Sequence, residues 1–177
     1  MIVQDDLMYE IMLDTNTLDY IYTKKIRLVP KLSNFPKKHI HLYITQVQQD
    51  EINKMTDDYR KSCINKIISI IGIRRVLTSG TIIGIDESSK HGFIGSNIGM
   101  CELVNDADLQ ILENLQKYTR SNHMSNTADL LILYTSIKKK MDYLITDDNH
   151  FGPMLKEISK FIPNHLQLRK NCDLDNF

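Results

Sequence analysis

The sequence predicts an α/β fold, a three-layer α/β/α sandwich around a mostly parallel central sheet, and three observations carry that prediction. Short apolar runs of strand length, at residues 11–13 and 143–145, alternate with longer segments of helical character. Those runs are apolar at consecutive rather than alternate positions, as expected of strands buried on both faces. Each is followed at once by carboxylates, Asp14 after the first and Asp147 with Asp148 shortly after the second. Beyond the carboxyl ends of parallel strands is where sheets of this class bind ligands.

Along the chain, residues 10–13 form a first strand and 17–28 a helix that Pro30 helps to end. A second strand covers 41–44, and Thr45 is placed to cap a helix running to about Met55. Residues 57–71 form the next helix, with Asp57 at its start and Gly72 just past its end, the usual asymmetry of helix termini. A β-rich piece follows at 76–85, then a loop at 88–99, and six of the seven glycines fall between Gly72 and Gly99. Helices are expected at 105–117 and 126–140, a strand at 143–146, a short helix at 153–160 and a last edge strand at 166–168. Strands alternating with helices in this way argue for parallel pairing through crossovers.

The 177 residues suit one domain, 1–177, with one core. An apolar share of 42% and a charged share of 25% exclude an extensively disordered chain. The longest apolar stretch, 130–134, is far short of the roughly 20 residues a membrane-spanning helix needs. Asp5 and Asp6 precede any basic residue, which does not fit a secretory signal, so no membrane association and a cytoplasmic location are expected. Cys63, Cys101 and Cys172 are odd in number and include no CxxC pair, so neither a disulfide framework nor a zinc site is indicated.

The formal net charge is zero, which makes no global case for a nucleic-acid partner. The charges are nevertheless uneven. Residues 20–49 contain no acid but hold Lys24, Lys25, Arg27, Lys31, Lys37 and Lys38, with His39 and His41. A basic flank beside an acidic pocket would suit a phosphodiester substrate, and a merely solvated basic surface accounts for the run equally well.

Asp14 and the Asp147, Asp148 pair fall at the same rim of the expected sheet. Asp129 lies in the first turn of a helix whose following residues, 130–134 and Ile137, are apolar nearly all round. Its carboxylate would face that rim. Glu51, about two turns into the helix after the second strand, can return a further carboxylate to it. Taken singly, each acid could cap a helix, hold a turn or sit in solvent. Together they would repel, because unit charges 4 Å apart interact by about 4 kcal/mol at an effective dielectric of 20. A divalent cation relieves that repulsion. Oxygen donors without cysteine or a histidine pair suit Mg2+ or Mn2+ rather than zinc.

These residues resemble the motifs of PIN-domain nucleases, most of all the VapC-type toxins of bacterial toxin–antitoxin pairs. The apolar strand followed by Asp, any residue and Asn is present as Ile11, Met12, Leu13, Asp14, Thr15, Asn16. A Thr leading into a helix that bears Glu and an aliphatic residue is present as Thr45 through Glu51 and Ile52, and the central acid at a buried helix start as Asp129. The closing motif, strand, Thr, any residue, Asp, two residues, Phe, reads Leu144, Ile145, Thr146, Asp147, Asp148, Asn149, His150, Phe151. The match spans residues 10–151.

The resemblance implies an endoribonuclease holding one or two Mg2+ ions, in which water activated by the cation attacks an RNA phosphodiester to leave a 5′-phosphate and a 3′-hydroxyl. Carried over by position, Asp14, Glu51, Asp129 and Asp148 are the metal-binding acids, and Asn16 and Thr146 support them by hydrogen bonding. It also implies a protein antitoxin that blocks the rim, and usually a homodimer. Some positions depart from the family pattern. Asp147 is often neutral in relatives, so the ligand there is Asp147, Asp148 or both. Asp50 competes with Glu51, although about 100° of helix rotation separates them and Glu51 is preferred. The segment 78–99 is longer than in compact relatives, as a substrate loop, a partner-binding hairpin or an insertion. Its glycine run ends without the GK[ST] of a phosphate-binding loop. A haloacid-dehalogenase-type phosphatase is disfavoured, because Asn16 stands where that class needs its second acid and Leu18 where it needs Thr or Val. The alternative function is a catalytically silent PIN-like module that binds RNA or protein.

Overall fold

The computed structural model of the chain describes residues 8–76, 127–161 and 164–177. The expected loop at 88–99, the helix at 105–117, the insertion at 78–99, Cys101 and most of the β-rich piece lie outside the described residues. Five strands form one sheet: β1 (Tyr9–Leu13), β2 (Ile40–Thr45), β3 (Arg74–Val76), β4 (Tyr143–Ile145) and β5 (Gln167–Arg169). Their order is β3-β2-β1-β4-β5, and every neighbouring pair is parallel.

β1 lies at the centre, with Ile11 opposite both Leu42 and Tyr143, and Leu13 opposite Ile145. Its consecutive apolar residues divide between two cores. Ile11 and Leu13 join Leu18, Ile21, Leu28 and Ile64 on one face, while Met12 joins Leu133, Tyr134, Phe151 and Met154 on the other. All three strand residues are fully buried, which for side chains of this size stabilises by about 1.5–3 kcal/mol each.

On one face the helices α1 (Thr15–Thr23), α2 (Lys25–Leu32) and α4 (Asp58–Ile71) pack against one another; on the other, α5 (Thr127–Lys138) packs against α6 (Phe151–Ile158). The helix α3 (Gln46–Asn53) follows β2 and touches α4 and α5. Its start is a reciprocal cap: Gln48 N donates to Thr45 Oγ1, and Thr45 N donates to Gln48 Oε1. Asp57 caps α4, and Gly72 ends it in the left-handed region at φ 74°, where a side chain would be strained.

The single helix expected over 17–28 is two. α1 starts earlier, at Thr15, and ends at Thr23; Lys24, at φ −102° and ψ 19°, leaves the helical region, and α2 then runs through Pro30. Proline is tolerated because the N–H it lacks would have served the carbonyl of Ile26, a residue 90% exposed. The Pro30 carbonyl itself accepts from Ser33 Oγ and Asn34 Nδ2, both at 2.9 Å.

Much of the basic run lies away from the acidic rim. Lys37 and Lys38 lie in a 3-10 turn (Phe35–Lys38) just before β2, at the end of the strands opposite Asp14. Lys24 and Lys25 follow the far end of α1, roughly 14 Å from its start. Arg27 pairs with Asp175 at 2.7 Å, and Lys31 donates to the Asp175 carbonyl. This stretch braces the C-terminal residues and is otherwise largely solvated.

Candidate metal centre

The end of β1 delivers Asp14. Its backbone N–H still belongs to the sheet, donating to the Ile145 carbonyl at 3.0 Å, while its own carbonyl accepts from Thr17 N and begins α1. The side chain is left at the rim, 4% exposed. Oδ1 accepts from Thr15 N at 2.7 Å, and Oδ2 accepts from Asn16 Nδ2 and Thr146 Oγ1, both at 2.7 Å. Burial nevertheless dominates, raising the Asp14 pKa from 3.8 to about 6. The bonds from Thr146 and Thr15 oppose that rise, and the charges of Asp129 and Asp148 add to it.

Thr146, one residue past β4, uses its hydroxyl fully. It donates to Asp14 Oδ2 and accepts from Asn16 Nδ2 at 3.2 Å and from Asp148 N at 3.0 Å. One buried oxygen therefore ties the first motif to the last. Glu51 sits on the same side, its Oε2 accepting from Thr15 Oγ1 at 2.7 Å. Asp50 turns away: it is exposed, and its carboxylate accepts from Gln46 Nε2 at 2.8 Å. Gln48, fully buried, donates from Nε2 to the Leu13 carbonyl at 2.6 Å and so fastens α3 to the end of β1.

Asp129, in the first turn of α5, is 7% exposed. Burial raises its pKa, the neighbouring His150 opposes this, and the charges of Asp148 and Glu51 reinforce it. His150 lies between two acids, with Nε2 2.6 Å from Asp129 Oδ2 and Nδ1 2.5 Å from Asp148 Oδ1. Ligand atoms of Asp129, Asp148 and His150 come within 4.8 Å of one another, a spacing that one divalent ion can span. Asp147 does not join them. It is exposed, its Oδ1 accepts from Asn171 N at 3.1 Å, and its carbonyl accepts from Lys170 Nζ at 3.3 Å.

Sequence reasoning missed His150, Asn171, Gln48, Thr15 and Thr17. Asn171 is buried in the 3-10 turn Asn171–Asp175 after β5; its Nδ2 donates to Asn16 Oδ1 at 3.2 Å. Thr17 Oγ1 lies 2.7 Å from both the Ile145 carbonyl and Asn171 Oδ1, so its one proton serves two acceptors. His150 had a signal, its place two residues after Asp148 within the closing motif. Asn171 had none, since only the parallel pairing of β5 with β4 brings it to the rim. An open depression of about 570 Å³ adjoins the cluster, with Asn16, Tyr20, Asp148, Asn149 and Asn171 in its wall.

The donor set fits a divalent cation. Asp14 is shielded from solvent yet surrounded by further acids, so ionising it is costly without a compensating positive charge. Chemically, such a cluster can position a water and a phosphate oxygen at one rim.

The chain matches no family model and no curated protein. Among solved structures it is similar to VapBC2 from Rickettsia felis bound to a DNA fragment from their promoter, with a TM-score of 0.51 and 15% identity. The alignment covers 90% of this chain and 97% of that one. The likeness is one of fold, an α/β/α sandwich like that of PIN domains. Among the described residues no helix is long and apolar enough to cross a membrane.

Proposed function

We propose that the chain is a metal-dependent endoribonuclease acting as the toxin of a toxin–antitoxin pair. The observation that supports this reading is the grouping of Asp129, Asp148 and His150 within 4.8 Å, with Asp14 and Glu51 as electrostatic neighbours of these acids, in a PIN-like sandwich. A divalent cation, Mg2+ or Mn2+, would be held by these acids and would supply an activated water and stabilisation of charge on the phosphate. Asn16 and Thr146 hold the Asp14 carboxylate in one orientation, and Thr15 does the same for Glu51. The depression beside Asp148, lined by Asn16, Asn149 and Asn171 together with Asp19, Asp147 and Asp148, offers hydrogen bonds to the sugars and base edges of single-stranded RNA.

The likeness to a VapBC complex supports a protein antitoxin as partner; a homodimer and a cytoplasmic location belong to the same proposal without resting on that likeness. The decisive measurement is cleavage of end-labelled RNA by purified protein with Mg2+ or Mn2+, abolished by EDTA and by Asp14→Asn. An Asp14→Asn variant as active as wild type contradicts the reading. A silent RNA- or protein-binding module draws support from one observation, the internal pairing of Asp129 and Asp148 with His150. That rival predicts RNA binding indifferent to EDTA and no cleavage.

A further inference from the structure

We propose that His150 is itself a metal ligand, so that the pocket is a mixed nitrogen–oxygen site preferring a first-row transition ion to Mg2+. The inference rests on the reading of the carboxylate cluster as a metal site and specifies what that site selects.

The geometry points this way because of where the ring lies. A histidine that merely orients a ligand stands behind it, touching one carboxylate and turning its other nitrogen elsewhere. The His150 ring instead lies between two carboxylates of the cluster, 2.6 Å from Asp129 through Nε2 and 2.5 Å from Asp148 through Nδ1. It thus stands between Asp129 and Asp148, and its ligand atom falls within 4.8 Å of a carboxylate oxygen of each.

The ring is also held in place. It stacks on Phe151 with centroids 5.3 Å apart and planes 18° from parallel, and Phe151 is fully buried. His150 N donates to Asp148 Oδ1 at 3.4 Å, fixing the backbone at the start of α6. A nitrogen that binds a cation must be free of its proton, while the other keeps its N–H for one carboxylate. Either nitrogen of His150 can take the first part and leave the second to its twin.

An imidazole nitrogen changes the preference of the site. Mg2+ is hard, favours oxygen and retains its waters, whereas affinity for nitrogen donors rises along the first transition series from Mn2+. Mn2+ is the weakest binder of that series, so a preference for it over Mg2+ is the stringent test.

The experiment titrates full-length protein with Mn2+ and with Mg2+ by calorimetry and records pulsed electron paramagnetic resonance of the Mn2+ complex. The expected result is tighter binding of Mn2+ and a nitrogen coupling typical of a directly bonded imidazole. In His150→Gln that coupling disappears, and the preference for Mn2+ falls by about tenfold or more. Mn2+ bound without nitrogen coupling, or a coupling that survives in His150→Gln, overturns the assignment while leaving the carboxylate site standing. Failure of wild type to bind Mn2+, or binding unchanged in Asp129→Asn, overturns the site and the assignment together. Should His150→Gln fail to fold, wild-type protein labelled with 15N-histidine, its coupling read in the presence and absence of excess Mg2+, supplies the same test. A coupling that does not change isotope on labelling refutes the proposal.

Discussion

Thr146 uses one oxygen to satisfy three groups, and removing that oxygen leaves Asp148 N without its partner and Asp14 Oδ2 with one donor fewer. Thr146→Val therefore costs about 1–3 kcal/mol of stability, measured by chemical denaturation, while Thr146→Ser keeps most of it. Stability kept in Thr146→Val but lost in Thr146→Ser would show that the methyl group, not the hydroxyl, is what matters. Asp14 gives a second expectation. Its pKa rises from 3.8 in the unfolded chain to about 6 in the folded one, so the folded state binds the proton more tightly. The stabilisation is fully present below about pH 4 and is lost as pH rises through about 6. Between about pH 4 and 7.5, metal-free wild type should lose roughly 2 kcal/mol more stability than Asp14→Asn, read by urea denaturation at each pH. Parallel curves for the two proteins would contradict this. The acids were legible as residues because charge at a strand end is unusual. His150 was not, because a histidine beside an acid is ordinary until its ring is seen between two of them.

At the scale of elements, the strands and the starts of α3 and α4 were the most legible features, for a local reason: Thr45 and Asp57 cap with their own side chains, and Gly72 marks an end that other residues reach only with strain. The break at Lys24 was illegible because both halves share one helical periodicity, and it is packing of Leu18 and Ile21 together with Leu28 and Leu32 in one core that accompanies the bend. Pro30 misled for a related reason; it sits where α2 faces solvent and the missing hydrogen bond is inexpensive. The cap on α3 also positions Gln48 and Glu51, so Thr45→Ala is expected to lower stability by about 1 kcal/mol and to weaken metal binding in calorimetric titration. A loss of stability with metal affinity intact would separate the cap from the site.

For the whole molecule, parallel topology sorts what the linear sequence mixes. Asp14 and Thr146 are 132 residues apart yet share a hydrogen bond of 2.7 Å, whereas Lys37 and Lys38, much nearer in sequence, lie at the opposite end of the strands. Charge patterning registers a basic run without saying which end it occupies. Replacing both Lys37 and Lys38 by Gln should accordingly leave the salt dependence of RNA binding unchanged; a shallower slope would place phosphates at that end. Asn171 follows its rim partners Asn16, Thr17 and Asp147 in the chain, and that order governs when the rim can assemble. While the chain is still being synthesised, Asn16, Thr17 and Asp147 lack the partner that ties them together, and β5 has yet to lie against β4. The rim is finished only when residue 171 has cleared the ribosome and folded back.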